Sequence, residues 1–274
     1  MPFIETAPGV CIHYESIGEG RPLVFIHGWS MSGNVWKFQA EDLASSYRFI
    51  TMDLRGHGKS SGSAETFTFE DFAADTAELF SKLDLYEAVL IGWSMGVQVA
   101  IQVFERIREH LKALVFVSGT PRFTMSDDYP FGLSPMETRG MALRLKRNYA
   151  RTMKEFFNGM FAEEEFFRER YPALLREAVT GGILPDPGAA LKSLDTLASG
   201  DLRMLLPGID VPVLLVHGSE DAVTMPAASL YMKEHIPRAT LEIIQGAGHA
   251  PFLSRPQDFG SLMRMFLEGI YGDN

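Results

Sequence analysis

Short apolar runs alternate along the chain with longer stretches whose apolar residues recur every three to four positions. "CIHYESIG" reads as an early strand ending in a glycine turn. "PLVFIHG" (22–28) and "YRFITMD" (47–53) are continuous apolar runs, the pattern of strands covered on both faces. Residues 69–83 set Phe69, Phe72, Ala73, Thr76, Leu79, Phe80 and Leu83 at helical spacing. "EAVLIG" predicts a strand and Met95 to His110 a helix. "KALVFVSG" (112–119), "VPVLLVHG" (211–218) and "ATLEIIQG" (239–246) predict further strands. "AASLYMKEHI" and "PQDFGSLMRMFLEGI" predict helices.

This alternation argues for an α/β fold, a mainly parallel sheet with helices on both faces. The rhythm fails from residue 120 to about 206. "MALRLKRNYARTMKEFFNGMF" and "EEEFFRERYPALLREAV" read as helical, and "GGILPDPG" breaks them. Residues 1–119 and 191–274 are therefore expected to form the core, and 120–190 a helical lid inserted after a strand end, where ligands bind in such sheets.

Composition narrows the function. The chain has 274 residues, 46% hydrophobic and 22% charged, ordinary for a globular protein. A formal charge of −10 argues against a nucleic-acid partner. Cys11 is the only cysteine, which excludes an internal disulfide and a cysteine zinc site. "MPFIETAPGV" lacks the basic and apolar regions of a signal peptide, and no apolar run is long enough to span a bilayer. A cytoplasmic monomer without metal or cofactor is expected.

The chemistry is carried by Gly92-Trp93-Ser94-Met95-Gly96, which matches G-x-S-x-G between an apolar strand and a helix. This nucleophile elbow is a tight turn whose flanking positions have no room for side chains. The elbow requires an acid and then a histidine after later strands. "VPVLLVHGSEDAVTMP" offers Asp221, with Glu220 as a competitor that the H-G-x-x-D spacing disfavours. "LEIIQGAGHAPFLSRP" offers His249. A serine hydroxyl needs a base to become a nucleophile, the role expected of His249, with Asp221 orienting the imidazole. An oxyanion needs two backbone N–H donors. Met95, after the nucleophile, and Trp29, after "PLVFIHG", are the candidates.

Other residues keep plainer readings. Asp53, Arg55 and His57 of "MDLRGHGKS" precede the serine and read as a braced structural loop. His27 and His217 end strands and read as packing or hydrogen-bonding groups. Phe156, Phe157, Phe161, Phe166 and Phe167 read as the core of the lid.

With these residues in place the chain resembles the α/β-hydrolase superfamily over nearly its whole length. His27-Gly28-Trp29, Asp53-Leu54-Arg55-Gly56-His57-Gly58, the elbow, His217-Gly218-Ser219-Glu220-Asp221 and Gly248-His249 carry the likeness. "HGWSMSGNVW", "GWSMG", "SGTPRFTMSDDYP" and "GHAPFLSRP" are similar to the pimeloyl-acyl-carrier-protein methyl ester carboxylesterases of biotin synthesis. That resemblance implies Ser94, Asp221 and His249 as catalytic residues, and Trp29 and Met95 at the substrate's ester. It also implies Met141, Ala142, Leu143, Arg144 and Leu145 along the acyl chain. Val97 departs from the glycine or small residue usual in that family, and the lid matches in few positions.

Charge adds a candidate partner. Residues 137–154 carry six basic residues and one acidic residue. Arg144, Arg147, Arg151 and Lys154 are spaced to share one helix face, with Leu143, Tyr149 and Met153 largely on other faces and expected to pack down onto the sheet. A solvated face explains this as well as a docking face for an acidic acyl carrier protein does. The rival functions are a generic carboxylesterase, a C–C bond hydrolase, and a non-catalytic ligand receptor on the same fold.

Overall fold

The computed structural model describes residues 2–62, 66–163, 165 and 184–272. In chain order the elements are β1 (Phe3–Ala7), β2 (Val10–Ile17), β3 (Pro22–Ile26), α1 (Lys37–Leu43), β4 (Arg48–Met52) and β5 (Ser61–Gly62). They continue as α2 (Phe69–Lys82), β6 (Ala88–Trp93), α3 (Met95–Ile107), β7 (Leu111–Val117), α4 (Pro135–Arg147), α5 (Tyr149–Gly159) and α6 (Pro187–Ser199). The last are β8 (Val213–Gly218), α7 (Pro226–His235), β9 (Ala239–Ile244), α8 (Pro251–Ser254) and α9 (Pro256–Tyr271).

The strands form one sheet in the order β1-β2-β4-β3-β6-β7-β8-β9, with β5 paired to β2. Neighbours from β4 through β9 are parallel, while β2 pairs antiparallel with β1, β4 and β5. Every residue of β3, β6 and β8 is buried, as their unbroken apolar runs require of central strands. The expected strands and helices of the core are present. The strands β1 and β5 and the helices α1, α6 and α8 were not predicted, and all but α6 are too short to show a period of their own.

Helix α2 starts at a capping box, with Thr68 accepting from the Asp71 N–H and the Asp71 carboxylate accepting from the Thr68 N–H. It buries the predicted face from Phe69 to Phe80. The loop around Asp53 is braced as expected. Asp53 accepts from the N–H groups of Gly33 and Lys59 and lies 3.0 Å from His13 Nδ1. Arg55 forms a buried ion pair with Asp75.

The insertion between β7 and β8 departs from expectation in two ways. Residues 141–161 do not form one helix. The chain breaks at Asn148 (φ −153°, ψ 86°), whose side-chain oxygen accepts the Arg151 N–H and caps α5. Arg144 and Arg147 therefore lie on α4, and Arg151 and Lys154 on α5, not on one continuous helix face. Leu143 is the second departure. It is 68% exposed and does not pack down, whereas Leu145 and Met153 are buried.

Helix α6 runs unbroken through residue 190. The two ends of the insertion meet where Arg122 bridges Asp201 and the Leu202 N–H donates to the Pro121 carbonyl. The helix expected in "EEEFFRERYPALLREAV", and with it Phe166 and Phe167, lies outside the described residues apart from Glu163 and Glu165. Phe157 and Phe161 are buried within the insertion and Phe156 is half-buried. Among the described residues no helix is long and apolar enough to cross a membrane.

Candidate active site

The loops that leave β3, β6, β8 and β9 carry Trp29, Ser94, Asp221 and His249, all at the same end of the parallel sheet. Ser94 sits directly between β6 and α3 with φ 54° and ψ −117°, a conformation that non-glycine residues avoid. The turn closes tightly. A Cβ on Gly92 would lie 2.4 Å from the Gly96 carbonyl oxygen, and one on Gly96 2.6 Å from that of Ile26. The Ser94 N–H donates to the Val117 carbonyl at 3.0 Å, which ties the elbow to β7.

Val97, where the resemblance expects a small residue, is fully buried. Room for it comes from Gly119, whose added Cβ would stand 2.5 Å from Val97 Cγ2.

Nε2 of His249 lies 2.9 Å from Ser94 Oγ, and its Nδ1 lies 2.7 Å from Asp221 Oδ2. Since a carboxylate only accepts, the proton sits on Nδ1, and bare Nε2 can accept the serine hydroxyl proton. Asp221 Oδ1 accepts the N–H groups of Val223 and Thr224 at 2.8 and 3.0 Å. Its Oδ2 also meets His217 Nε2 at 3.0 Å and Thr224 Oγ1 at 2.9 Å. Burial alone would push the Asp221 carboxyl up. The imidazoles of His249 and His217 outweigh that and hold it well below the usual carboxylate range. Glu220 is exposed and outside this cluster.

The backbone of His249 is fixed at both ends. Its carbonyl accepts from the Trp93 indole N–H at 2.8 Å, and its N–H donates to the Met160 carbonyl at 2.7 Å. The contacts of Trp93, Thr224, His217 and Met160 were not read from the sequence. Those of Trp93 and Met160 join residues far apart in the chain, and those of Thr224 and His217, within four positions of Asp221, depend on how the loop after β8 folds.

The two candidate oxyanion donors lie on either side of the serine. Met95 is the first residue of α3, so its N–H has no partner within the helix. Gly28 runs against the elbow, a Cβ there falling 3.1 Å from Ser94 Cβ. The Gly28 carbonyl accepts from His27 Nδ1 at 2.7 Å and from the Met31 N–H at 3.3 Å. His27 Nε2 in turn accepts from the Leu54 N–H at 3.0 Å, which places the ring proton on Nδ1. Burial lowers the His27 pKa and keeps that ring neutral. Because C=O and N–H point opposite ways in a trans peptide, holding the Gly28 carbonyl also fixes the direction of the Trp29 N–H. The Trp29 side chain turns to the insertion. Its indole N–H donates to the Ala190 carbonyl at 3.0 Å, and its ring meets Phe156 edge-on.

The remaining predicted residues lie on the insertion. Met141 and Ala142 are half-buried and Leu145 is buried, while Leu143 and Arg144 face outward. The five cannot line one surface, since a helix turns successive side chains by about 100°.

Residues 21–256 match the family model for the alpha/beta hydrolase fold. The chain is 35% identical over 250 residues to a pimeloyl-[acyl-carrier protein] methyl ester esterase of Nitrosomonas europaea, covering 91% of this chain and 97% of that one. It is 31% identical over 252 residues to the protein of that name from Nitrosospira multiformis, covering 91% and 95%. Among solved structures, an esterase from Exiguobacterium antarcticum superposes with a TM-score of 0.91 at 28% identity, covering 97% of this chain and 98% of that one. The chain belongs to the α/β-hydrolase fold family and is a carboxylic ester hydrolase related to the pimeloyl-[acyl-carrier protein] methyl ester esterases.

Proposed function

We propose that this protein hydrolyses the methyl ester of a pimeloyl chain held on acyl carrier protein, a step of biotin synthesis in the cytoplasm, and does so as a monomer. The observation that carries the chemistry is the imidazole of His249, hydrogen-bonded at once to Ser94 and to Asp221. The substrate rests on the name of relatives whose alignments cover 91% of this chain.

In this reading Ser94 Oγ attacks the ester carbonyl carbon as its proton passes to His249 Nε2. The carbonyl oxygen becomes an oxyanion facing the N–H groups of Met95 and Trp29, each worth ~10²–10³ in kcat. Collapse of the tetrahedral intermediate breaks the bond to the methoxy oxygen. His249 returns the proton, and methanol leaves. Water then attacks the acyl-enzyme with His249 again as base, releasing the carboxylate and restoring Ser94. Asp221 stays ionised throughout and balances the transient imidazolium. Met141, Ala142 and Leu145 border the acyl chain. Arg144, Arg147, Arg151 and Lys154, on two successive helices, draw in the acidic carrier.

Complementation of a biotin auxotroph that lacks the esterase tests this. The wild-type chain should restore growth and Ser94→Ala should not. A well-expressed wild-type chain that hydrolyses simple esters but fails to complement would leave a general carboxylesterase, the reading that the Exiguobacterium esterase favours.

A further inference from the structure

The loop that presents His249 is held from the insertion as well as from the sheet. The Met160 carbonyl takes the His249 N–H at 2.7 Å. Five residues further on, Glu165 Oε2 accepts the Gly248 N–H at 3.1 Å and the Ala162 N–H at 2.8 Å. Gly248 makes this approach possible. A Cβ there would stand 2.6 Å from the Met160 carbonyl oxygen and 2.7 Å from the Ala162 nitrogen.

Glu165 is 2% exposed, an unusual place for a carboxylate. Among the described residues its cation is Arg255, which does not explain the placement. Arg255 Nε stops 3.7 Å from Glu165 Oε1, and among the described residues neither atom has a hydrogen-bond partner. The carboxylate spends its good contacts on the two backbone N–H groups instead. Arg255 uses Nη2 on the Gly246 carbonyl at 2.8 Å. The pair thus grips the segment before the histidine at residues 246 and 248.

We propose that Glu165 is a positioning residue for His249, through which the helical insertion sets the stance of the imidazole. The inference rests on His249 being the base. Glu165 reaches no reacting atom. It fixes Gly248, and Gly248 with Met160 and Trp93 leaves the His249 backbone one place to stand. A nucleophile and base must meet within a fraction of an ångström, and a displacement of about 1 Å from a remote change can lower the rate ~10²-fold.

The test uses the whole chain with p-nitrophenyl butyrate, activity being scaled to folded protein by near-UV circular dichroism. Glu165→Ala and Gly248→Ala should each lower kcat roughly 10- to 100-fold with little change in KM. Each should also shift the acidic limb of kcat/KM, because the contact of His249 with Asp221 is loosened. Glu165→Gln keeps an oxygen that can accept from Gly248 and should recover most of the loss. If Glu165→Ala does not fold, Gly248→Ala and Glu165→Gln carry the comparison. Normal kcat per folded molecule in Glu165→Ala and Gly248→Ala, beside an inert His249→Ala, would overturn the role of Glu165 alone. Activity surviving in His249→Ala would instead remove the base on which the inference rests.

Discussion

Oδ2 of Asp221, which accepts the hydrogen bond from Nδ1 of His249, also lies 3.0 Å from Nε2 of His217. His217 is fully buried and anchored by Ser229 Oγ at 2.7 Å and the Thr224 carbonyl at 2.9 Å. It can therefore hold the carboxylate in place while His249 moves its protons. A hydrogen bond to a charged group contributes about 1.5–3 kcal/mol, or roughly ten- to a hundredfold in rate. His217→Ala should lower kcat within that range and leave KM nearly unchanged. Steady-state kinetics on folded protein checks it, and an unaltered kcat would reduce His217 to a packing residue.

The three residues around the imidazole should fail together. Ser94→Ala, His249→Ala and Asp221→Asn should each reduce ester hydrolysis by ~10³–10⁶ without unfolding the chain, and double variants should lose little more than single ones. Glu220→Gln, at an exposed position, should keep wild-type activity. A dead Glu220→Gln beside an active Asp221→Asn would reassign the acid.

Stability should fall on mild acidification, because two buried histidines resist protonation. Burial, helped by nearby His27, lowers the His57 pKa to about 3, and burial lowers that of His27 as well. In the unfolded chain a histidine titrates near ~6.5, so below that pH the unfolded state gains protons that the folded state refuses. The contribution is complete above ~6.5 and is lost as pH falls towards 3. Tm should drop between pH 7 and 5, and His57→Asn, which can still donate to the Arg55 carbonyl, should flatten the slope. Parallel slopes in the two proteins would exclude His57 as the cause.

Behind the elbow, Val97 and Gly119 share one space. Gly119→Ala should destabilise the fold by about 1–3 kcal/mol through overpacking. Adding Val97→Ala should return much of that loss, so the pair should be strongly non-additive in urea denaturation. Additive effects would mean that the two sites relax independently.

The basic residues of α4 and α5 should matter only for a carrier-bound ester. Arg147→Glu with Arg151→Glu should raise KM for that substrate and weaken its salt dependence, since steering is screened over ~10 Å at 0.1 M salt. A small free methyl ester should be cleaved as before. Arg151 is already paired with Glu155, so Arg147 should account for most of the change when tested singly. Equal loss on both substrates would indicate a damaged insertion.

The core strands were legible because β3, β6 and β8 are buried on both faces and so run apolar without interruption. Ser94, Asp221 and His249 were legible as a group because each follows a strand, and parallel strands bring their ends together. The insertion was not. Its apolar spacing passes through Asn148 unbroken, and the break is set by a local cap that periodicity does not register. Leu143 has the residue type of a core position, yet it stands exposed on α4. The contacts that hold His249 and the preceding Gly248, from Trp93, Met160 and Glu165, span 156, 89 and 83 positions, and no short pattern encodes them.

The missing side chain at Gly248 also limits how this scaffold can be recombined. A foreign insertion grafted between β7 and β8 would have to bring its own backbone to within contact of that glycine, or the histidine loop would lose one wall. Chimeras that exchange the segment to alter acyl preference should therefore keep Met160 through Glu165 with the recipient core and make the exchange among the residues before them. The interchangeable unit in this protein is smaller than the insertion.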